Sequence, residues 1–454
     1  MTALQETSLI PPLGEPRPQP VPVAEETTLP SGLRLVVVPR PGVPLVELRL
    51  RVPFAAPNAR NAGVHAARGS VLSGAVLLGT QRHDQTGIAQ LLQSHGAEMS
   101  VSTDADRLLF STTLLPDGLG SVVGVLAELL TEAGYPADQV DGERDRLAER
   151  LAIARSQPGT IARMALAARR FGAHPYAIQL PDAELVSAVR APALRRLHRE
   201  RVLPAGSILV LVGDLDPRAA TDTVAAALEG WNGKGKAVEA PAVTEQRPAG
   251  IELVDRPGAV QSNLRLGGPA PSRTDADLSA TRLAAMIYGG YFSSRLVENI
   301  RERRGYSYSP RSAVDHQRAT SSFLVEADVA TEVTGPALLE TMYELGRIAL
   351  APVTEAELDG ARRYILGSMA LSTATHAGLA STLSALLGAG LPADWLRTHQ
   401  RELSAVTVEQ VQDAAARYLA PERLTAVVVG DAARVAAELG ALAPVTVTGS
   451  GTTA

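Results

Sequence analysis

Apolar and polar positions change period repeatedly along this chain. Val46, Leu48, Leu50 and Val52 alternate with Glu47, Arg49 and Arg51, the period of a half-buried strand. Val36 to Val38 form a short apolar run just before a Pro-Gly step, so residues 29–52 read as two strands around that turn. Helical spacing follows over 64–78 and 87–95, and residues 97–115 read as a further strand pair. Two or three helices occupy 118–171, another spans 185–200, and Ile208–Gly213 is a short, wholly apolar strand. Residues 230–250 are rich in glycine and proline and read as a linker, after which the order of elements starts again.

The repetition is visible in the letters. Pro204 followed by ILVLVGD matches Pro421 followed by TAVVVGD, an offset of 217 (421 − 204). Asp141–Gly142 and Asp359–Gly360 open similar helical stretches at an offset of 218 (359 − 141). Two landmarks sharing nearly one offset point to duplication of a domain of about 200 residues. Hairpins mixed with helices, without strict strand–helix alternation, predict α+β halves, each a mostly antiparallel sheet with helices packed on one face. The expected organisation is a proline-rich extended arm over 1–26, a first domain over 27–229, the linker over 230–250, a second domain over 251–445 and a flexible tail over 446–454.

Composition narrows the chemistry. A net charge of −5 with no long basic run argues against nucleic acid or an anionic membrane as partner. No cysteine is present, which excludes disulfides, zinc–thiolate sites and cysteine nucleophiles. The N-terminal stretch lacks the pattern of a signal peptide, and no apolar run is long enough to span a bilayer, so a soluble, cytoplasmic chain is expected. A lysine-poor, arginine-rich composition suggests a GC-rich bacterial source. The eight histidines are scattered and form no pair at ligand spacing. No Gly-x-Ser-x-Gly elbow and no phosphate-binding glycine loop occurs.

The most informative stretch is Ser293 to Tyr308, SSRLVENIRERRGYSY. Leu296, Val297 and Ile300 form an apolar helical stripe, Ser293 or Ser294 is placed to cap the helix start, and Gly305 is placed to end it. Arg301 lies at the edge of the stripe and Tyr308 seven residues on. Both can donate hydrogen bonds into a cleft, although the same pattern also fits a solvated basic helix end and an edge-strand tyrosine.

Taken in order, LPSGLRLVVVPRP, the helix ending in Leu78–Gly79–Thr80, HGAEMSVSTDADRLLFS, His174–Pro175–Tyr176 and RERRGYSYS resemble the pitrilysin/insulinase (inverzincin) family of zinc peptidases. They are most similar to the branch that contains mitochondrial processing peptidase. The resemblance runs from about Thr28 to Ala433 and implies half of a peptidase clamshell. Catalytic members carry His-x-x-Glu-His on the first-domain helix, two histidines binding zinc and a glutamate activating water. Counted back from Gly79–Thr80, those positions hold Ser70, Ser73 and Gly74, and the third-ligand position falls near Arg150. None supplies a zinc ligand or a base, so no metal is expected in this chain.

The resemblance also places Arg301 and Tyr308 where the family binds the substrate backbone and steadies the developing oxyanion. Zinc motif lost and Arg/Tyr pair kept together imply a non-catalytic subunit, inactive alone. Its expected partner is a homologous peptidase subunit that carries His-x-x-Glu-His and the zinc, and its expected substrate is a peptide or a leader or precursor segment. The strand at 97–104, the substrate-binding edge in an active partner, is expected here to keep only a structural role. The alternative, from a different class, is a scaffold subunit with this fold and no part in catalysis, as in the core subunits of respiratory complex III. A weaker third reading is a hydrolase acting alone through Ser70 or Ser73.

Overall fold

A computed structural model describes residues 23–233, 235–244 and 250–449. Most of the expected N-terminal arm and the last five residues of the expected tail lie outside the described residues. In the first half, β1 (Glu25–Thr28), β2 (Arg34–Pro39), β3 (Val46–Pro53), β4 (Glu98–Thr103), β5 (Arg107–Leu114) and β6 (Ile208–Gly213) form one sheet in the order β1-β2-β6-β3-β5-β4. In the second half, β7 (Ile251–Asp255), β8 (Gln261–Ala270), β9 (Arg311–His316), β10 (Ser321–Ala330), β11 (Thr425–Gly430) and β12 (Val445–Gly449) form another, ordered β12-β7-β11-β8-β10-β9. Five strands of each sheet correspond one to one, and only the outer strands β1 and β12 arise from opposite ends of the chain. The duplication read from the sequence is thus a repeat of topology.

The two strands about the Pro-Gly turn form as read, with β6 lying between them, parallel to β2 and antiparallel to β3. Two expectations need correction. Residues 446–449 are not tail but the edge strand β12, in parallel register with β7. Glu25 and Glu26 likewise belong to β1, paired with Val37 and Val36, rather than to an arm.

Each half lays its own helices on one face of its sheet, over a core that includes Leu48, Leu50, Val71, Phe110 and Leu126 in the first half and Leu264, Leu283, Phe323 and Leu345 in the second. The other face is covered by a helix from the opposite half. Helix Pro158–Phe171 packs Ala162 and Leu166 onto Val254, Val427 and Val429 of the second sheet. Helix His376–Gly388 packs Leu379, Leu383 and Leu387 onto Val36, Val38, Val210 and Val212 of the first. These helices begin 218 residues apart (376 − 158), so the exchange obeys the same duplication. It also explains why β2 and β6 are continuous apolar runs: both faces are buried, which an alternating strand could not satisfy.

A polar clasp joins the hairpin tips of the two sheets. The Tyr176 hydroxyl donates to Asp106 at 2.7 Å and accepts from the Ala319 amide at 3.0 Å, while the other Asp106 oxygen accepts from the Arg318 amide at 3.0 Å. His174 shapes the turn beneath: its Nδ1 accepts from the Tyr176 amide, so Nε2 carries the proton and donates to the Pro241 carbonyl at 2.9 Å.

His399 is fully buried, stacked on Trp395 with ring centroids 4.3 Å apart. Arg282 donates to its Nε2 at 2.5 Å. A guanidinium has no acceptor, so Nε2 must keep its lone pair and the ring must be neutral. Burial, then the nearby Arg282 and Arg273, lowers its pKa to about 3. An unfolded histidine titrates near 6.5, so between there and about 3 the unfolded chain takes up a proton that the folded chain refuses. Stability therefore falls as pH drops through that window, by about 2 kcal/mol at pH 5 from this residue alone. Urea midpoints at pH 7 and pH 5 test this; equal stabilities would mean that the folded ring is protonated.

Candidate functional site

Two places matter, one in each half. In the first, helix Ala62–Ala75 lies against helix Ala137–Ser156. At Gly74 an added Cβ would stand 2.8 Å from a Glu143 carboxylate oxygen, so the missing side chain is what lets Glu143 approach. Glu143 is in turn held by Arg146 at 2.9 Å and Arg150 at 3.0 Å. Ser73 spends its hydroxyl on the Ser70 carbonyl at 3.0 Å. Where the family motif would place ligands, this chain has a glutamate closed by two guanidinium groups. That arrangement does not fit zinc: it offers one carboxylate, already paired with two guanidinium groups. Among the described residues no group of three or more His, Asp or Glu side chains is placed to hold a metal.

His65, five residues before Ser70, bonds through Nε2 to the Phe54 carbonyl at 2.6 Å and rests against the Phe54 ring. Burial lowers its pKa below the ordinary histidine value. With Ser70, Thr103, Tyr176 and Gln179 it lines a cavity of about 230 Å³. No nucleophile–base pair forms there, because the carbonyl bond and the ring contact fix His65 in place.

The second place is built from two consecutive π-helical segments, Met286–Gly290 and Val297–Arg303. Leu296, Val297 and Ile300 are buried as the stripe required. Ser294 makes no cap; its carbonyl accepts from the Glu298 amide, and its buried hydroxyl finds no partner among the described residues. Gly305, at φ +64°, ends the helix in the left-handed region that a side chain disfavours. The widened turn presents Arg301 outward. Its guanidinium carbon lies 4.7 Å from the centre of the Tyr308 ring and 5.0 Å from that of Phe292. Tyr308 is 81% exposed and Phe292 60% exposed. Among the described residues, the only carboxylate paired with Arg301 is its exposed neighbour Glu302, at 3.2 Å.

The structure thus brings Arg301 and Tyr308 together. Among the described residues, no hydrogen bond or ion pair joins either to Ser70, Ser73, Gly74 or Arg150. Two participants escaped the sequence reading. Phe292 has a faint signal, one of only five phenylalanines placed in a Gly-Gly-Tyr-Phe-Ser-Ser loop. Glu143 has a clearer one, since Glu143, Arg146 and Arg150 recur at i, i+3 and i+7 on one helical face.

Comparison with known proteins places the chain in a family. The family profile described as Insulinase (Peptidase family M16) matches residues 71–184, and that described as Peptidase M16 inactive domain matches residues 188–365. The chain belongs to the M16 peptidase family. An uncharacterized zinc protease of Mycobacterium tuberculosis is 28% identical over 411 residues, covering 89% of this chain and 92% of the relative. A Helicobacter pylori protein named a non-peptidase homolog is 23% identical over 339 residues, covering 74% and 78%. The solved structure of an M16 inactive domain from Pseudomonas fluorescens superposes with a TM-score of 0.83 at 24% identity, covering 90% of this chain and 98% of that one. No helix among the described residues is long and apolar enough to cross a membrane.

Proposed function

We propose that this M16 chain is the zinc-less subunit of a heterodimeric metallopeptidase. In this reading it lends Arg301 and Tyr308 to a peptide held at the zinc of a homologous partner that carries His-x-x-Glu-His. The observation that carries the proposal is the exposed stack of Phe292, Arg301 and Tyr308. Two large aromatic rings in water contribute little to this fold, and they hold a guanidinium in one orientation facing outward. A preorganised donor of that kind is useful to a developing oxyanion and of no use to a scaffold. The Gly74–Glu143–Arg150 arrangement supports the other half of the reading, since it leaves this chain without hydrolytic machinery of its own. The name of the Helicobacter pylori relative points the same way.

Reconstitution tests it. The chain and a homologue bearing His-x-x-Glu-His, from the same cells, are each assayed alone and then mixed on a fluorogenic peptide. Hydrolysis by the mixture that exceeds either component and disappears with a metal chelator is the expected result. Cleavage by this chain alone in the presence of chelator would overturn the proposal, as would a partner whose rate is unchanged on mixing.

A further inference from the structure

A larger cavity, of about 510 Å³, opens where the two halves meet. Its walls are charged: Arg163, Arg256, Arg265 and Arg311 face Glu326 and Asp328, an excess of two positive charges (4 − 2). Arg265 is spoken for by Asp328 at 2.8 Å, and Arg311 pairs with Glu326. The surplus therefore resides on Arg163 and Arg256. Their hydrogen bonds go to neutral oxygens, the Thr160 hydroxyl at 3.1 Å and the Ser156 carbonyl at 2.9 Å, and neither is paired with a carboxylate among the described residues.

Two further features favour a negative occupant. The Arg265 guanidinium lies in the cavity wall, its Nε 3.6 Å from a Glu326 carboxylate oxygen, beyond hydrogen-bond distance. Helix Pro158–Phe171 also begins in the cavity wall: Pro158 has no N–H, the Thr160 amide bonds the Gln157 carbonyl, and Gly159, without a side-chain cap, brings its amide and the positive helix end to the cavity. The two features touch: a Cβ on Gly159 would stand 3.3 Å from Arg265 Nη2.

The chemistry selected is an oxyanion, carboxylate or phosphate. Its position suggests which, because Ser309 in the cavity wall directly follows Tyr308. A peptide lying on Arg301 and Tyr308 has the cavity as its next neighbour. We infer that the cavity takes acidic side chains of that peptide, making the substrate class peptides with a cluster of carboxylates beside the segment held at Arg301. The peptide part rests on the function proposed above; the anion site stands on its own residues.

The test is fluorescence anisotropy on the chain alone, with fluorescein-labelled hexaglutamate and hexaglutamine, beside a direct calorimetric titration of inorganic pyrophosphate. Because no hydrolysis is read, it is independent of the partner-dependent assay. Hexaglutamate should bind, weakening with salt, and hexaglutamine should not. The double variant R163Q/R256Q should lose affinity by at least about tenfold at an unchanged melting temperature, since both side chains lie at the rim. Equal affinity of the double variant and the parent would overturn the site. Pyrophosphate binding that depends on Arg163 and Arg256, with no binding of hexaglutamate, would overturn the acidic peptide and assign the cavity to free phosphate-type anions.

Discussion

Arg301→Ala is expected to lower partner-dependent hydrolysis by about two orders of magnitude, the usual cost of removing one preorganised donor to an oxyanion. Folding stability should change by less than about 1 kcal/mol, because the side chain's contacts are an exposed ion pair with Glu302 and two solvent-facing rings. The split between the two measurements is the informative part. Loss of rate with an unchanged urea midpoint places Arg301 in the reaction rather than in the fold. Tyr308→Phe keeps the ring over the guanidinium and removes only the hydroxyl, so it separates stacking from hydrogen-bond donation. Unchanged rates in both variants would leave this chain a scaffold.

Leu383→Ala should destabilise the whole chain by roughly 2–5 kcal/mol, the range for deleting a large aliphatic side chain from a well-packed site. Leu383 is 2% exposed, on the helix that the second half lays on the first sheet between Val36, Val38, Val210 and Val212. The exchange is reciprocal, so neither sheet keeps both faces covered once the halves separate. The halves should therefore unfold together, and calorimetry should show a single transition that moves to lower temperature intact. Two transitions, of which only the second-half one shifts, would mean that the exchanged helices do not couple the halves.

How far these features could be read in advance varies with the range of the interactions behind them. The strand β6 over Ile208–Gly213 was legible to the residue, because an apolar β-branched run bounded by glycine is a local signal. Its place between β2 and β3 was not, because pairing depends on which strand arrives and not on which is adjacent in sequence. That Ser70, Ser73 and Gly74 stand at zinc-motif positions, and that Arg301 and Tyr308 form a functional pair seven residues apart, is implied by the resemblance to the peptidase family and not by residue types alone. The stacking of Phe292 on Arg301 was hidden, because it requires two successive π-helical segments to turn the loop between them.

By itself the sequence determined the α+β class, the duplication and the positions of most strands and helices, since each follows from residue type, local period or a repeated spacing. Only the tertiary structure decided that each half completes the other's sheet, that Glu143 and two arginines close the former ligand positions, and that four guanidinium groups converge on one cavity. Those outcomes depend on contacts between residues tens to hundreds of positions apart, whose free energies are set by burial and charge in three dimensions and leave no period along the chain.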